Sequence, residues 1–306
     1  MAGTVSGRYA PSPTGDLHLG NLRTALLAWA IARGQGRGFA LRFEDLDDRS
    51  RPEYIETQRR DLEAIGLDFD SVLVQSDRLE AYAEAVDALT ERGLLYECYC
   101  TRADIRNAPS APHLPPGAYP GTCRNLTEAQ RAEGREKLAG MSRGPALRLA
   151  TGGESVTLHD RVAGTFTGQV DDLVIVRGDG VYAYNLVSVV DDAGQGVTQV
   201  VRGDDLLDST PRQIFLGNLL GYPVPEYYHV PLVLGPGGDR LAKRDGAVTL
   251  SQLIEAGETI PAIVELMTAS LGTPARSAEE FLATFDVETM TGEPWIYQPP
   301  EPRPVG

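Results

Sequence analysis

Near the start of the chain a single histidine, His18, is framed by Pro11-Ser12-Pro13, Gly15 and Gly20, just ahead of the strongly apolar residues 22–33. A strand that ends at the prolines, turns through Gly15 and enters a helix there presents free backbone N–H groups, which favour an anion. Glycine at position 20 keeps a Cβ out of a ligand's way. A neutral histidine beside it can donate to a phosphate, best of all to one gaining charge at a transition state. Much later, residues 237–247 (GGDRLAKRDGA) form a glycine-rich segment with Arg240, Lys243 and Arg244 close together. A lysine there can offset the charge on a leaving pyrophosphate. Three cysteines, Cys98, Cys100 and Cys123, fall within one short stretch. An odd number cannot all pair, and clustered thiolates suit zinc, which replaces an absent apolar core. On chemistry alone His113 is the fourth ligand, because imidazole binds zinc more often than phenol does.

These residues need elements to hold them. Residues 6–10 read as a strand, 22–33 as a helix apolar on nearly every side, and 39–43 as a second strand. Pro52 opens a helix that Gly66 stops, 72–74 is a third strand, and 79–92 is a helix ended by Gly93. This alternation predicts a parallel sheet with right-handed crossovers. It breaks at 97–124, which carries all three cysteines and Pro115-Pro116 and reads as a loop-rich insertion. A polar helix at 127–139 and short strands at 146–150, 155–159 and 173–176 follow. The alternation returns with a helix from Tyr184 into Val190, a strand at 197–201, a helix at 210–219 and a strand at 228–234. Helical segments are expected near 249–255, 261–270 and 278–285, and the proline-rich tail from Glu293 reads as extended or mobile. The boundaries that follow are 1–93 and 184–247 for two halves of one catalytic sheet, 94–183 for the insertion and 248–306 for a short helical region with its tail.

The chain has 306 residues, is 42% hydrophobic and carries a formal charge of -15, so it can bury a sizeable core and repels phosphate at long range. Broad, nonspecific nucleic-acid binding is thereby disfavoured. A local exception is 101–150, where eight Lys and Arg face four acids, a net charge of +4. The longest apolar run is far shorter than the roughly 18 to 20 residues needed to span a bilayer, so a soluble, cytoplasmic protein is expected.

The segment Arg8-Tyr9-Ala10-Pro11-Ser12-Pro13-Thr14-Gly15 with His18-Leu19-Gly20-Asn21 resembles the first signature of class I glutamyl-type aminoacyl-tRNA synthetases. Arg240-Leu241-Ala242-Lys243-Arg244 is similar to the second signature loop of that family. Residues 182–186 (YAYNL) and 201–206 (VRGDDL) are similar to it as well, and the likeness runs in order over about residues 6–248. Asn21 stands where many class I enzymes have a second histidine, and Arg240 and Ala242 replace a commoner lysine and serine, while Lys243 remains. The resemblance implies an α/β fold: a Rossmann-like parallel sheet split by a zinc-containing insertion, with a short C-terminal helical region.

It also implies which residues act. His18, Gly20, Asn21 and residues Arg240, Leu241, Ala242, Lys243 and Arg244 would hold ATP with its Mg2+, His18 and Lys243 being catalytic. Arg8, Tyr9, Ala10, Pro11, Ser12, Glu44, Tyr184 and Arg202 would form the glutamate pocket. Arginines there suit bidentate carboxylate recognition and Glu44 suits the ammonium. Without the resemblance, Arg8 would read as a surface arginine and Arg202 as a partner for Asp204 or Asp205. Members of the family with this insertion use a tyrosine four residues before the last cysteine, which selects Tyr119 with Cys98, Cys100 and Cys123 for one structural Zn2+. About sixty residues follow the second loop, too few for a large anticodon-reading part. This resembles the glutamyl-queuosine tRNA(Asp) synthetases, whose partners would be L-glutamate, ATP and tRNA(Asp) carrying queuosine, with a monomer the simplest state. A shortened enzyme charging tRNA(Glu), or a synthetase-like protein binding RNA or glutamate without catalysis, are the other readings.

Overall fold

The computed structural model describes residues 5–107, 118–239, 241, 248–290 and 292–298. Strand β1 (Val5–Tyr9) leads into helix α1 (Leu19–Gly34), followed by β2 (Gly38–Phe43), α2 (Pro52–Ala64), β3 (Ser71–Val74) and α3 (Leu79–Glu91). Gly66 and Gly93 both lie at positive φ, which lets the chain turn sharply after each helix. The helix α1 is buried on nearly every side, apart from Asn21 and Thr24 near its start and its last turn. Its Leu26 is fully buried, a site where truncation to alanine costs about 2–5 kcal/mol.

The insertion begins with β4 (Leu95–Cys98), α4 (Arg102–Asn107) and α5 (Glu128–Ala139), then β5 (Ala146–Leu149), β6 (Ser155–Asp160), β7 (Gly164–Gln169) and β8 (Val174–Val176). Strands β4, β5 and β8 form an antiparallel sheet, and β6 and β7 a separate hairpin. Three of these elements differ from the sequence reading. Strand β4 runs into, and the six-residue helix α4 lies inside, the stretch expected to be loop, and β7 is polar and glycine-bearing, so its alternation is hidden.

The core sheet resumes with α6 (Tyr184–Gly194), β9 (Gln199–Gly203), α7 (Thr210–Leu220) and β10 (Glu226–Val230). The expected strand at 228–234 is thus split: β10 stays in the main sheet, and β11 (Val233–Leu234) leaves it. After α8 (Leu250–Glu255), α9 (Ile260–Ala269) and α10 (Ala278–Thr284), strand β12 (Trp295–Ile296) pairs in parallel with β11. Of the tail read as extended or mobile, residues 293–298 are described, and at Trp295–Tyr297 the chain is docked, with Tyr297 buried in the main core.

All five strands of the main sheet are parallel, in the order β10-β9-β1-β2-β3. The chain moves outward from β1 in one direction and then returns to the other side, so the switch point lies between β1 and β9. Ligands of open α/β sheets sit outside the carboxyl ends of the strands at such a point. Strand alternation divides the chemistry: Tyr9, Leu41, Phe43 and Val201 join the α1 core, which leaves Arg8, Arg42, Arg202 and His229 together on the opposite face.

Candidate active site and cysteine cluster

A cavity of about 530 Å³ opens at that switch point. Its wall includes Arg8, Tyr9, Ala10, Pro11, Ser12, Glu44, Tyr184 and Arg202, together with His18, Gly20 and Asn21. The residues before 203 selected for glutamate and ATP are therefore gathered into one space. Gln58 of α2 fixes the turn between them, donating to the carbonyls of Ser12 (3.1 Å) and Gly15 (2.7 Å). Pro11 accepts the Glu44 N–H at 2.9 Å, which sets Glu44 beside the turn.

His18 is the N-cap of α1. Its Nδ1 accepts from the N–H groups of Gly20 (3.1 Å) and Asn21 (3.3 Å), and Asn21 Oδ1 accepts from the His18 N–H at 3.3 Å. The expectation of open N–H groups at this terminus is corrected: Leu19 N–H donates to Val248 and Leu22 N–H to the His18 carbonyl, so the first turn is satisfied within the chain. The donor this leaves to the ring is Nε2–H, since an Nδ1 that accepts carries no proton. A Cβ at Gly20 would stand 3.1 Å from His18 Cε1, so glycine makes room for the capping ring itself. Asn21 replaces a second histidine by closing the capping box.

Arg240, Ala242, Lys243 and Arg244 lie outside the described residues. Leu241 is described and buried, its N–H directed to the Val233 carbonyl at 3.4 Å. On the other side of the segment, Val248 accepts from Leu19 and Thr249 bridges to His18.

Neither arginine follows the reading it would have without the resemblance. Arg8 is buried, donating from Nε to Asp192 Oδ1 at 3.2 Å and from Nη1 to the Val201 carbonyl. Arg202 is also buried and makes no ion pair among the described residues, with Asp204 and Asp205 included. Its Nε donates to His229 Nε2 at 3.1 Å, Nη1 to Tyr184 Oη at 3.3 Å and Nη2 to Thr210 Oγ1 at 2.8 Å.

Sequence reasoning missed the groups behind both. Arg42, fully buried, donates to Asp192 at 2.7 Å and Gln195 at 2.9 Å, and pairs with Glu44 at 3.4 Å. Asp191, also fully buried, takes hydrogen bonds from Gln75, Arg78 and Tyr82. Burial alone would raise the Asp192 carboxyl, but Arg42 and Arg8 hold it below its ordinary value. For Glu44 burial wins, and its carboxyl is raised against the pull of Arg42 and Arg8. The signal was present in Leu41-Arg42-Phe43, where a charge alternates with apolar residues in a strand covered on both faces.

The three cysteines converge, with their sulfurs within 4.8 Å of one another. Cys100 Sγ lies 3.6 Å from Cys123 Sγ, and Tyr119 Oη lies 3.4 Å from Cys98 Sγ and 3.7 Å from Cys100 Sγ. Tetrahedral bonds of about 2.3 Å to sulfur put neighbouring donors about 3.8 Å apart, so this donor set fits a small thiophilic cation. The Cys98 thiol is pulled down to about 4, chiefly by Cys123 and then, against burial, by Tyr119 and Arg148. The Arg148 guanidinium lies 3.7 Å over the Tyr119 ring. His113 lies outside the described residues.

Three of the eight cations of 101–150 are held in ion pairs. Arg135 pairs with Glu97 (2.7 Å) and Glu128 (2.9 Å), Lys137 with Asp104 (2.8 Å), and Arg124 with Asp172. No helix among the described residues is long and apolar enough to cross a membrane.

The family described as tRNA synthetases class I (E and Q), catalytic domain, matches residues 4–295. The chain belongs to this family. It is 58% identical over 292 residues to a glutamyl-Q tRNA(Asp) synthetase of Nocardia farcinica (strain IFM 10152), covering 95% of this chain and 92% of that one. A glutamyl-Q tRNA(Asp) synthetase of Cutibacterium acnes (strain DSM 16379 / KPA171202) is 47% identical over 309 residues, covering 99% and 86%. Among solved structures, a glutamate-tRNA synthetase of Elizabethkingia anophelis superposes with a TM-score of 0.80 at 26% identity, over 96% of this chain and 68% of that one.

Proposed function

We propose that this synthetase-family chain activates L-glutamate with ATP to glutamyl-adenylate and transfers the glutamyl group to queuosine at the wobble position of tRNA(Asp). The observation that carries the reading is the single cavity in which Arg8, Ser12, Glu44, Tyr184 and Arg202 share a wall with His18. Its identity to relatives named for that reaction supports the choice of acceptor.

In the first step a glutamate α-carboxylate oxygen attacks the α-phosphorus of ATP and pyrophosphate leaves. In the second, a hydroxyl of the queuosine cyclopentenediol attacks the activated carbonyl carbon and AMP leaves. Arg202 has the unneutralised charge suited to a substrate carboxylate, Arg8 donates beside it, and Glu44 takes the ammonium. His18 Nε2–H donates to the phosphates, and Lys243, which falls between Leu241 and Val248 in sequence, offsets charge on the departing pyrophosphate. Mg2+ accompanies ATP. Cys98, Cys100, Cys123 and Tyr119 would hold one structural Zn2+ that ties together the loops of the 94–183 insertion, the tRNA-facing unit of a cytoplasmic monomer. Residues 1–93 and 184–247 supply the two halves of the catalytic unit and 248–306 the helical support.

The decisive assay is glutamyl transfer to queuosine-containing tRNA(Asp), run beside unmodified tRNA(Asp) and tRNA(Glu), with glutamate-dependent ATP–pyrophosphate exchange measured in parallel. Transfer to the queuosine-containing tRNA alone is expected. Charging of tRNA(Glu) would replace the acceptor, and no exchange at all would leave a binding protein. Purified protein should contain stoichiometric zinc, lost in Cys123→Ala; a metal-free, fully folded wild type would remove the zinc assignment.

A further inference from the structure

We propose that His229 and Asp160 are a positioning pair that aims the Arg202 guanidinium into the cavity while leaving its charge available for the substrate carboxylate. The proposal rests on the glutamate-activating reading above and adds two residues to it.

His229 lies directly opposite Arg202 in the β9–β10 register, so both side chains stand on one face. The imidazole is 1% exposed. For His229 Nε2 to accept the Arg202 Nε–H, the ring must be neutral with its proton on Nδ1, and Nδ1 lies 2.6 Å from Asp160 Oδ2. Asp160 is itself held as an acceptor: its Oδ1 takes the N–H groups of Val162 (2.9 Å) and Ala163 (2.7 Å), and the His229 N–H reaches both oxygens. Thr210 Oγ1 also lies 3.0 Å from Nε2 and could meet an Nε2–H, but that opposite tautomer would still set Nε2–H against the Arg202 Nε–H and leave the buried carboxylate facing a lone pair. Burial first, and then the positive charge of Arg202, keep the ring from protonating against the pull of Asp160.

A carboxylate touching Arg202 would orient it equally well but would compete with the ligand for its charge. An imidazole interposed between the two orients without neutralising. Asp160 closes β6 in the insertion, so the hairpin is tied by this pair to the floor of the cavity.

The test is ATP–pyrophosphate exchange by full-length wild type, H229L, H229Q and D160N, with thermal unfolding of each. H229L removes the acceptor and should raise the KM for glutamate roughly tenfold or more, with the KM for ATP within about twofold and kcat reduced far less than KM is raised. H229Q restores an amide oxygen for Arg202 and an N–H for Asp160, and should recover most of the loss. D160N admits the wrong tautomer and should fall between. An unchanged glutamate KM in H229L, or parallel rises for glutamate and ATP, would overturn the proposal. If H229L does not fold, H229Q against D160N decides: equal glutamate KM values sink the pair. Wild type without glutamate-dependent exchange would remove the underlying reading and this proposal with it, whereas wild-type exchange with an indifferent H229L removes the proposal alone.

Discussion

Arg8 and Arg202 face one cavity from neighbouring parallel strands, and their surroundings are of opposite kinds. Arg8 sits in a charged lattice with Asp192, Arg42 and Glu44, with Asp191 one step behind. Arg202 is caged by an imidazole and two hydroxyls. A buried ion pair contributes little net stability over an apolar substitute but is costly to break, because the surviving charge is stranded. A neutral cage strands no charge when its arginine is removed, and its buried acceptors His229 Nε2 and Thr210 Oγ1 still lie 3.0 Å from each other. The first wall is therefore built to hold shape and the second to hold an available charge, and separate measurements of stability and activity should tell them apart.

The largest effect expected is Asp192→Asn. It leaves Arg8 without its carboxylate and Arg42 with only Asp191 and Glu44, and should lower the unfolding free energy by roughly 3–5 kcal/mol, read by urea denaturation. A loss under about 1 kcal/mol would mean that Asp191 and Glu44 compensate and that the lattice is redundant. The acid limb of stability should change with it. Asp192 lies below its ordinary value, so its contribution is present above the unfolded carboxyl range near 3.9 and is lost as pH falls through the lower folded value. The variant should show a flatter acid limb below about pH 4.

Next is Arg202→Leu, the complementary change on the other wall. Stability should move by less than about 1 kcal/mol, while kcat/KM for glutamate falls roughly 10²-fold or more, the scale of removing a buried charged partner from a carboxylate. A stability loss as large as that of Asp192→Asn would erase the contrast between the walls.

How much of this was legible beforehand follows the same division. The parallel sheet, α1 and the signature turn could be read because their signals are local: apolar runs, glycine stops and ordered motifs. The anion-donor reading of His18 did not reveal that it also caps α1, since both roles place a histidine before a helix; in the structure Nδ1 accepts from the first helical N–H groups. The lattice of Arg42, Asp191 and Asp192 and the Asp160–His229 pair were invisible for another reason. Their partners lie 150 and 69 positions apart in sequence, and no periodicity records which buried charge meets which. Strand β7 escaped because exposed threonines and glycines blur an alternation that only a packed face would sharpen. The positive stretch at 101–150 was legible in sum but not in effect, because the acids that neutralise Arg135 and Arg124 include Glu97 and Asp172, outside the window counted.

The smallest change tests whether a single residue can belong to both walls' logic. Glu44 touches the lattice through Arg42 yet faces the cavity, and burial raises its carboxyl above the ordinary range. A carboxyl raised in the fold costs stability as pH climbs from its usual value near 4.3 through the raised one, because the folded state then holds a proton the unfolded chain gives up. Glu44→Gln removes that cost while its amide oxygen still accepts from Arg42. The variant should be more stable than wild type at pH 7 by about 0.5–1 kcal/mol, with the gain shrinking toward zero below about pH 4, and its KM for glutamate should rise. Greater stability with weaker glutamate binding marks Glu44 as a group kept for the ammonium. A variant less stable at neutral pH would instead return Glu44 to the lattice, as one more carboxylate that Arg42 needs.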